Sequence, residues 1–200
     1  MICNLKTNLG ITTKMKNNFL QNPSVSEIQK HFKMYQDQIY PLVAGICTQK
    51  MDGMHGLNTH TASVVFRGTD YALSLNKNPL PVIFACAFHD MARINDNFDI
   101  EHGKNAVPLA KQIMEKFNLD KRIQRSIIFA IENHTTGTNA PDYISACLWD
   151  ADRTRLSWLY GYQPKYFNTL RAQHIASSNY QEYIKFQRKC FSDLPWDKIY

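Results

Sequence analysis

The chain has 200 residues, 44% hydrophobic and 20% charged, an ordinary globular composition with length for one sizeable core rather than two. Its formal net charge of +6 favours anionic partners, yet no basic cluster exceeds two consecutive residues, as at Lys121-Arg122, which argues against a dedicated nucleic-acid binder. The five cysteines, at positions 3, 47, 86, 147 and 190, are odd in number and form no CxxC pair, so no disulfide framework is expected and a reducing, cytoplasmic setting is.

Residues 1–24 read as a polar extension with no apolar core for a signal peptide or a membrane span. A helical region is expected over 25–200. Pro23 to Ser26 lead into a helix at about 25–38, and 41–50 read as helical and apolar. The turn MDGMHGLN precedes a helix from His60 to about Leu75. Pro81 suits the first turn of the next helix, 81–91. The stretch RINDNFDIEHG is polar and irregular, and a helix follows to about Phe117 with Pro108 in its first turn. Asp120 can cap a helix that runs to about Asn133. TTGTNAP is a loop, Pro141 opens a helix over 141–160, and two more helices fill about 163–176 and 179–191. Alternating strand patterns are absent, so the expected class is all-α.

The run PVIFACAF ends abruptly in His89-Asp90. A helix that is apolar all round must be buried, and a carboxylate at its end is costly unless paired or bound to a metal. Helical geometry at about 100° per residue places other polar residues inward. His60 opens the face of Val64, Tyr71, Ala72 and Leu75. His134 ends the stripe of Ile123, Ile127, Ala130 and Ile131. Asp152 lies within the stripe of Ile144, Leu148, Leu156 and Leu159, with Asp150 on the opposite side. His102 stands at the start of a further helix. A lone inward His or Asp is more often a hydrogen-bonded core residue, and Arg93 or Arg153 could pair an aspartate. Six such residues on several helices are instead a donor set for a divalent metal that binds N and O. His31 and His174 lack such placement, while His55 sits in a Gly-rich turn that could line an entrance.

With these residues in view, the chain resembles the HD-domain superfamily of metal-dependent phosphohydrolases. His60, His89-Asp90 and Asp152 match its core pattern, and FHDMARIND, EHGKNA, ENHTTG and LWDADR follow in the same order over about 55–160. The chain departs from the pattern in TASVV after His60 and in Thr154-Arg155 after DADR, and 161–200 match nothing in it. The resemblance implies a single HD-type helical bundle. It implies one or two divalent ions (Mn, Mg, Zn, Fe or Co) on His60, His89, Asp90 and Asp152, with His102 and His134 as additional ligands or phosphate-facing groups. It implies metal-assisted hydrolysis of a small phosphorylated substrate such as a nucleotide, with Asp90 and His134 catalytic and His134 or His102 moving protons. Arg93, Lys104 and Arg153 lie close in sequence to these ligands and would neutralise phosphate oxygens.

Two other readings share the motif. An HD-type di-iron oxygenase uses the same six-donor set, and iron content with oxygen-dependent turnover would mark it. A non-catalytic HD signalling or binding module would be expected to have lost ligands, and all six are present.

Overall fold

The computed structural model describes residues 23–160, 163–178 and 180–190, and among these the class is all-α with no strand. The expected N-terminal extension lies almost wholly outside the described residues. Helix α1 spans Val25–Met34 and opens with a capping box, in which Ser24 Oγ accepts from Glu27 N at 3.2 Å and Ser24 N donates to Glu27 Oε2. A wide π-type turn over Tyr35–Ile39 joins it to the short α2, Tyr40–Ala44. The helix expected over 41–50 therefore stops early. After Gly45 and Ile46, residues 47–56 form a loop tied to the segment behind His89-Asp90, with Thr48 N donating to Met91 O at 2.9 Å.

A second π-type turn, Leu57–Thr61, leads into α3, Ala62–Ser74, and every residue of α3 except Leu73 is buried. The sequence marked one apolar face of this helix; the polar face is buried as well. Helix α4, Leu80–Phe88, covers one side, with Pro81 in its first turn as expected. Helix α5, His102–Met114, contains Pro108 in its interior and not in its first turn. Proline removes one main-chain hydrogen bond there. Pro108 and Lys104, whose carbonyl loses that donor, both lie on the exposed face, where water can take the bond. Helix α6, Lys121–Glu132, is capped by Asp120, whose Oδ1 accepts from Arg122 N at 2.8 Å. Helix α7, Tyr143–Tyr160, starts two residues after Pro141, with Asp142 Oδ1 accepting from Ser145 N at 2.8 Å. It packs on α3, α4 and α6, and Trp149 Nε1 donates to Ala130 O of α6 at 2.9 Å.

Helix α9, Tyr180–Cys190, agrees with the one expected over 179–191, whereas α8, Leu170–Ser178, starts later than the one expected over 163–176. The late start of α8 has a cause in α7. Asp150 is buried and turned away from Asp152, and its carboxylate accepts from Asn168 N at 2.9 Å and Thr169 N at 2.6 Å. This clamp holds residues 168–169 ahead of the helix. The polar side of α3 is closed from the same quarter. Asp70 Oδ2 accepts from Arg171 Nε at 3.1 Å and from Tyr183 Oη at 3.0 Å. Of the stripe read around Asp152, Ile144 and Leu148 are buried, and the Leu156 and Leu159 side chains fall outside the described residues.

A hydrogen bond to a charged group contributes roughly 1.5–3 kcal/mol, and an amide in place of Asp150 would set an N–H against main-chain N–H donors. Asp150→Asn should therefore lower the free energy of unfolding by about 2 kcal/mol, read by urea denaturation. An unchanged midpoint would show that this carboxylate does not hold the start of α8.

Candidate metal centre

The helix ends meet at one end of α3. His60 lies in the turn that opens α3; His89 and Asp90 directly follow α4; His102 is the first residue of α5; His134 lies just past α6. Asp152 alone comes from mid-helix. All six are buried. Gly103 permits one of these approaches, because a Cβ at that position would collide with Ile131 O and come within 3.0 Å of His134 Nδ1.

Three imidazoles are oriented by the same device. His89 Nδ1 donates to Cys86 O at 2.8 Å, His134 Nδ1 to Ile131 O at 2.7 Å, and His102 Nδ1 to Asp99 O. A carbonyl oxygen only accepts, so each Nδ1 carries the proton and each neutral ring presents an Nε2 lone pair. Those Nε2 atoms converge. His60 and His89 stand 3.1 Å apart, and His102 and His134 2.7 Å apart. Two lone pairs at 2.7 Å repel unless a proton or a cation lies between them. Burial pulls His134 down to about 4, so it stays neutral. Burial also pulls on His102, but its hydrogen bond to Asp90 outweighs this and lifts it above the ordinary value. A cation between the two rings would relieve that repulsion.

Asp90 links the two pairs. Its Oδ2 lies 3.4 Å from His60 Nε2 and 3.5 Å from His89 Nε2, and its Oδ1 lies 2.9 Å from His102 Nε2 and 3.8 Å from His134 Nε2. Asp152 Oδ1 joins the first pair, 3.1 Å from His60 Nε2 and 3.9 Å from His89 Nε2. Ligands at about 2.0–2.2 Å from an ion are separated by about 3–4 Å, and these donors have that spacing. Burial alone would raise both aspartates. The electrostatic interaction with the adjacent His89 ring and the hydrogen bond with His102 hold Asp90 well below the usual carboxylate range, and the His60 hydrogen bond does the same for Asp152. The residues therefore fit divalent ions that take N and O donors. His60, His89 and Asp152 could hold one, and Asp90, His102 and His134 another.

Above the donors lies a cavity of about 450 Å³. Arg93 and Arg153 line it, and the framework holds both. Arg93 Nε donates to Asp90 Oδ1 at 2.8 Å and its Nη1 to Asn97 O at 3.1 Å. Arg153 Nη2 donates to Gly137 O, and its guanidinium carbon sits 5.8 Å from the Trp149 ring centroid. Lys104 is placed elsewhere. Two residues on from His102 is about 200° around the helix, and Lys104 is exposed there, 2.9 Å from Glu101 Oε2. Both ring nitrogens of His134 are engaged, Nδ1 with Ile131 O and Nε2 facing His102 Nε2. His55 lines the cavity, as its place in the Gly-rich turn suggested, but it also reaches the donors, which the sequence did not indicate: its Nδ1 lies 3.4 Å from Asp90 Oδ2. The signal for its place at the cavity was the His-Gly dipeptide in the MDGMHGLN turn. No described helix is long and apolar enough to cross a membrane.

The fold is similar to the crystal structure of a predicted HD superfamily hydrolase from an uncultured Thermotogales bacterium. The match has a TM-score of 0.59 at 20% identity and covers 80% of this chain and 92% of that one. Among curated proteins no sequence match is found. The HD domain family model matches residues 57–163, more than half of the chain and the whole stretch from the turn before His60 to past Asp152. The chain belongs to the HD domain family.

Proposed function

We propose that the protein is a metal-dependent phosphohydrolase acting on a nucleotide or another small phosphate ester. The observation that carries this reading is Asp90, a buried carboxylate with each oxygen facing its own pair of imidazoles. A divalent ion held there would supply a coordinated water of lowered pKa and a Lewis acid for a phosphoryl oxygen. The residues of the chain do the rest. His60, His89 and Asp152 would hold one ion, and Asp90, His102 and His134 another. The carbonyls of Cys86, Asp99 and Ile131 keep three of the imidazoles in the ligating tautomer. Arg93 and Arg153 offer their remaining N–H groups to phosphate oxygens on the cavity wall.

Met54 and Phe98 edge the cavity, 54% and 86% exposed. A planar base would rest against them while its phosphate reaches inward, which supports a nucleotide. The two arginines favour an anionic substrate over the oxygenase reading. A screen of nucleotides and phosphate esters under anaerobic conditions separates the two, because hydrolysis proceeds without oxygen and oxygenation stops.

The aspartates of DAD should divide cleanly. Asp152→Asn removes the anionic donor of the first group and should lower metal affinity by at least roughly a hundredfold, beyond the usual cost of losing an outer partner. Asp150→Asn, whose carboxylate is turned toward Asn168, should retain metal at wild-type stoichiometry. Metal analysis of both variants, with helical content checked by circular dichroism, decides it; metal loss in Asp150→Asn with retention in Asp152→Asn would reverse the assignment.

On the wall of the cavity, Arg153→Gln should raise KM for the phosphate ester by about tenfold, the effect of roughly 1.4 kcal/mol of lost binding, and leave metal content unchanged. Equal KM values for the variant and the wild type would remove Arg153 from substrate binding.

A further inference from the structure

We infer that His55 is a seventh metal ligand, supplied by the loop over the cavity and not by a helix end. The inference rests on the metal-centre reading above and extends it to a residue outside the HD pattern. His55, His60 and Asp90 form a third group of donors, whose atoms lie within 4.8 Å of one another. His55 Nδ1 stands 3.4 Å from Asp90 Oδ2 and is buried without a hydrogen-bond partner among the described residues. A buried ring nitrogen left without a partner is costly, and an ion held by Asp90 Oδ2 and His60 satisfies it. The His55 ring meets that of His60 edge-on at a centroid distance of 5.3 Å.

The loop is built to hold this imidazole in place. His55 N donates to Asp96 Oδ1 at 3.2 Å, and its carbonyl accepts from Gln49 Nε2. Gln49 is buried and also donates to Thr61 Oγ1 at 2.8 Å, one residue from His60. Gly56 lets the turn close, because a Cβ there would stand 2.6 Å from the main-chain carbon of Asp52. On the far side, Thr48 Oγ1 donates to Arg93 O at 3.2 Å. His55 is therefore tied to the turn that carries His60 and to the segment behind Asp90. An ion drawing on His55 would clamp the loop over residues 48–56 across the cavity, so metal occupancy and loop closure are coupled.

Titration of the metal-free protein with Co2+, followed by visible absorption and calorimetry, tests this. The wild type is expected to take up two equivalents. His55→Gln should weaken one of them by at least roughly tenfold and alter the cobalt spectrum, with the other equivalent unchanged. His134→Gln should weaken the other. Hydrogen exchange over residues 48–56 should slow when Co2+ is added to the wild type and not to His55→Gln. Two equivalents of wild-type affinity and spectrum in a folded His55→Gln protein overturn the inference and leave the six-donor centre standing. A wild type that binds no Co2+ overturns the centre itself, and His55 with it.

Discussion

The buried carboxylate of Asp90 is the constraint around which the rest of this structure is organised. It sits at the end of α4, the most apolar of the described helices, where an unpaired charge is not tolerated. Every direction from it is answered by a cationic or potentially cationic group: four imidazoles, the Arg93 guanidinium and His55. Those partners arrive from the ends of α3, α4, α5 and α6 and from two loops, so the charge lies where the helix ends meet. The centre is at once the place of highest local electrostatic cost and the point at which the bundle is joined.

Helix ends suit this task for a reason that recurs twice here. The last carbonyls of a helix lack intrahelical donors. His89 and His134, placed just past α4 and α6, use such carbonyls three residues back to hold their Nδ1 protons. The arrangement satisfies an orphan acceptor and orients a donor in one step. His102 reaches the same state from a loop carbonyl at the opening of α5. The resulting array of inward Nε2 atoms is unfavourable as a set of neutral lone pairs, and it is stabilised by positive charge. Metal affinity is thus the counterpart of strain among ligands that the fold has already positioned.

The opposite side of the core uses charge differently. Asp70 on α3 meets Arg171 and Tyr183, and Asp150 on α7 meets the main chain at residues 168–169. Burial raises both of these carboxyls, whereas Asp90 and Asp152 are held low by imidazoles. Hydrogen bonds close the C-terminal helices onto α3 and α7 there, with no convergence of metal donors among the described residues. Two aspartates two residues apart on α7 therefore serve unlike purposes, and the face of the helix decides which is which.

The all-α class, most helix positions, the Asp120 cap and the inward turn of Asp152 were legible in the sequence because each depends on local periodicity or a local hydrogen bond. The six metal-donor candidates were legible because apolar surroundings make polar residues conspicuous. Other features depended on contacts between distant segments. The burial of the polar face of α3 follows from Arg171 and Tyr183, about a hundred residues away. The start of α8 follows from Asp150, and the outward turn of Lys104 from where α5 begins. His55 looked like a loop residue, because only the folded chain brings residues 48–56 against Asp90. The sequence by itself marked six candidate metal donors, since an inward polar side chain is conspicuous in its local setting. The tertiary structure decided which donors stand close enough to share an ion and added His55 to them, because that closeness depends on distances of a few ångströms set by the packing of segments remote in sequence.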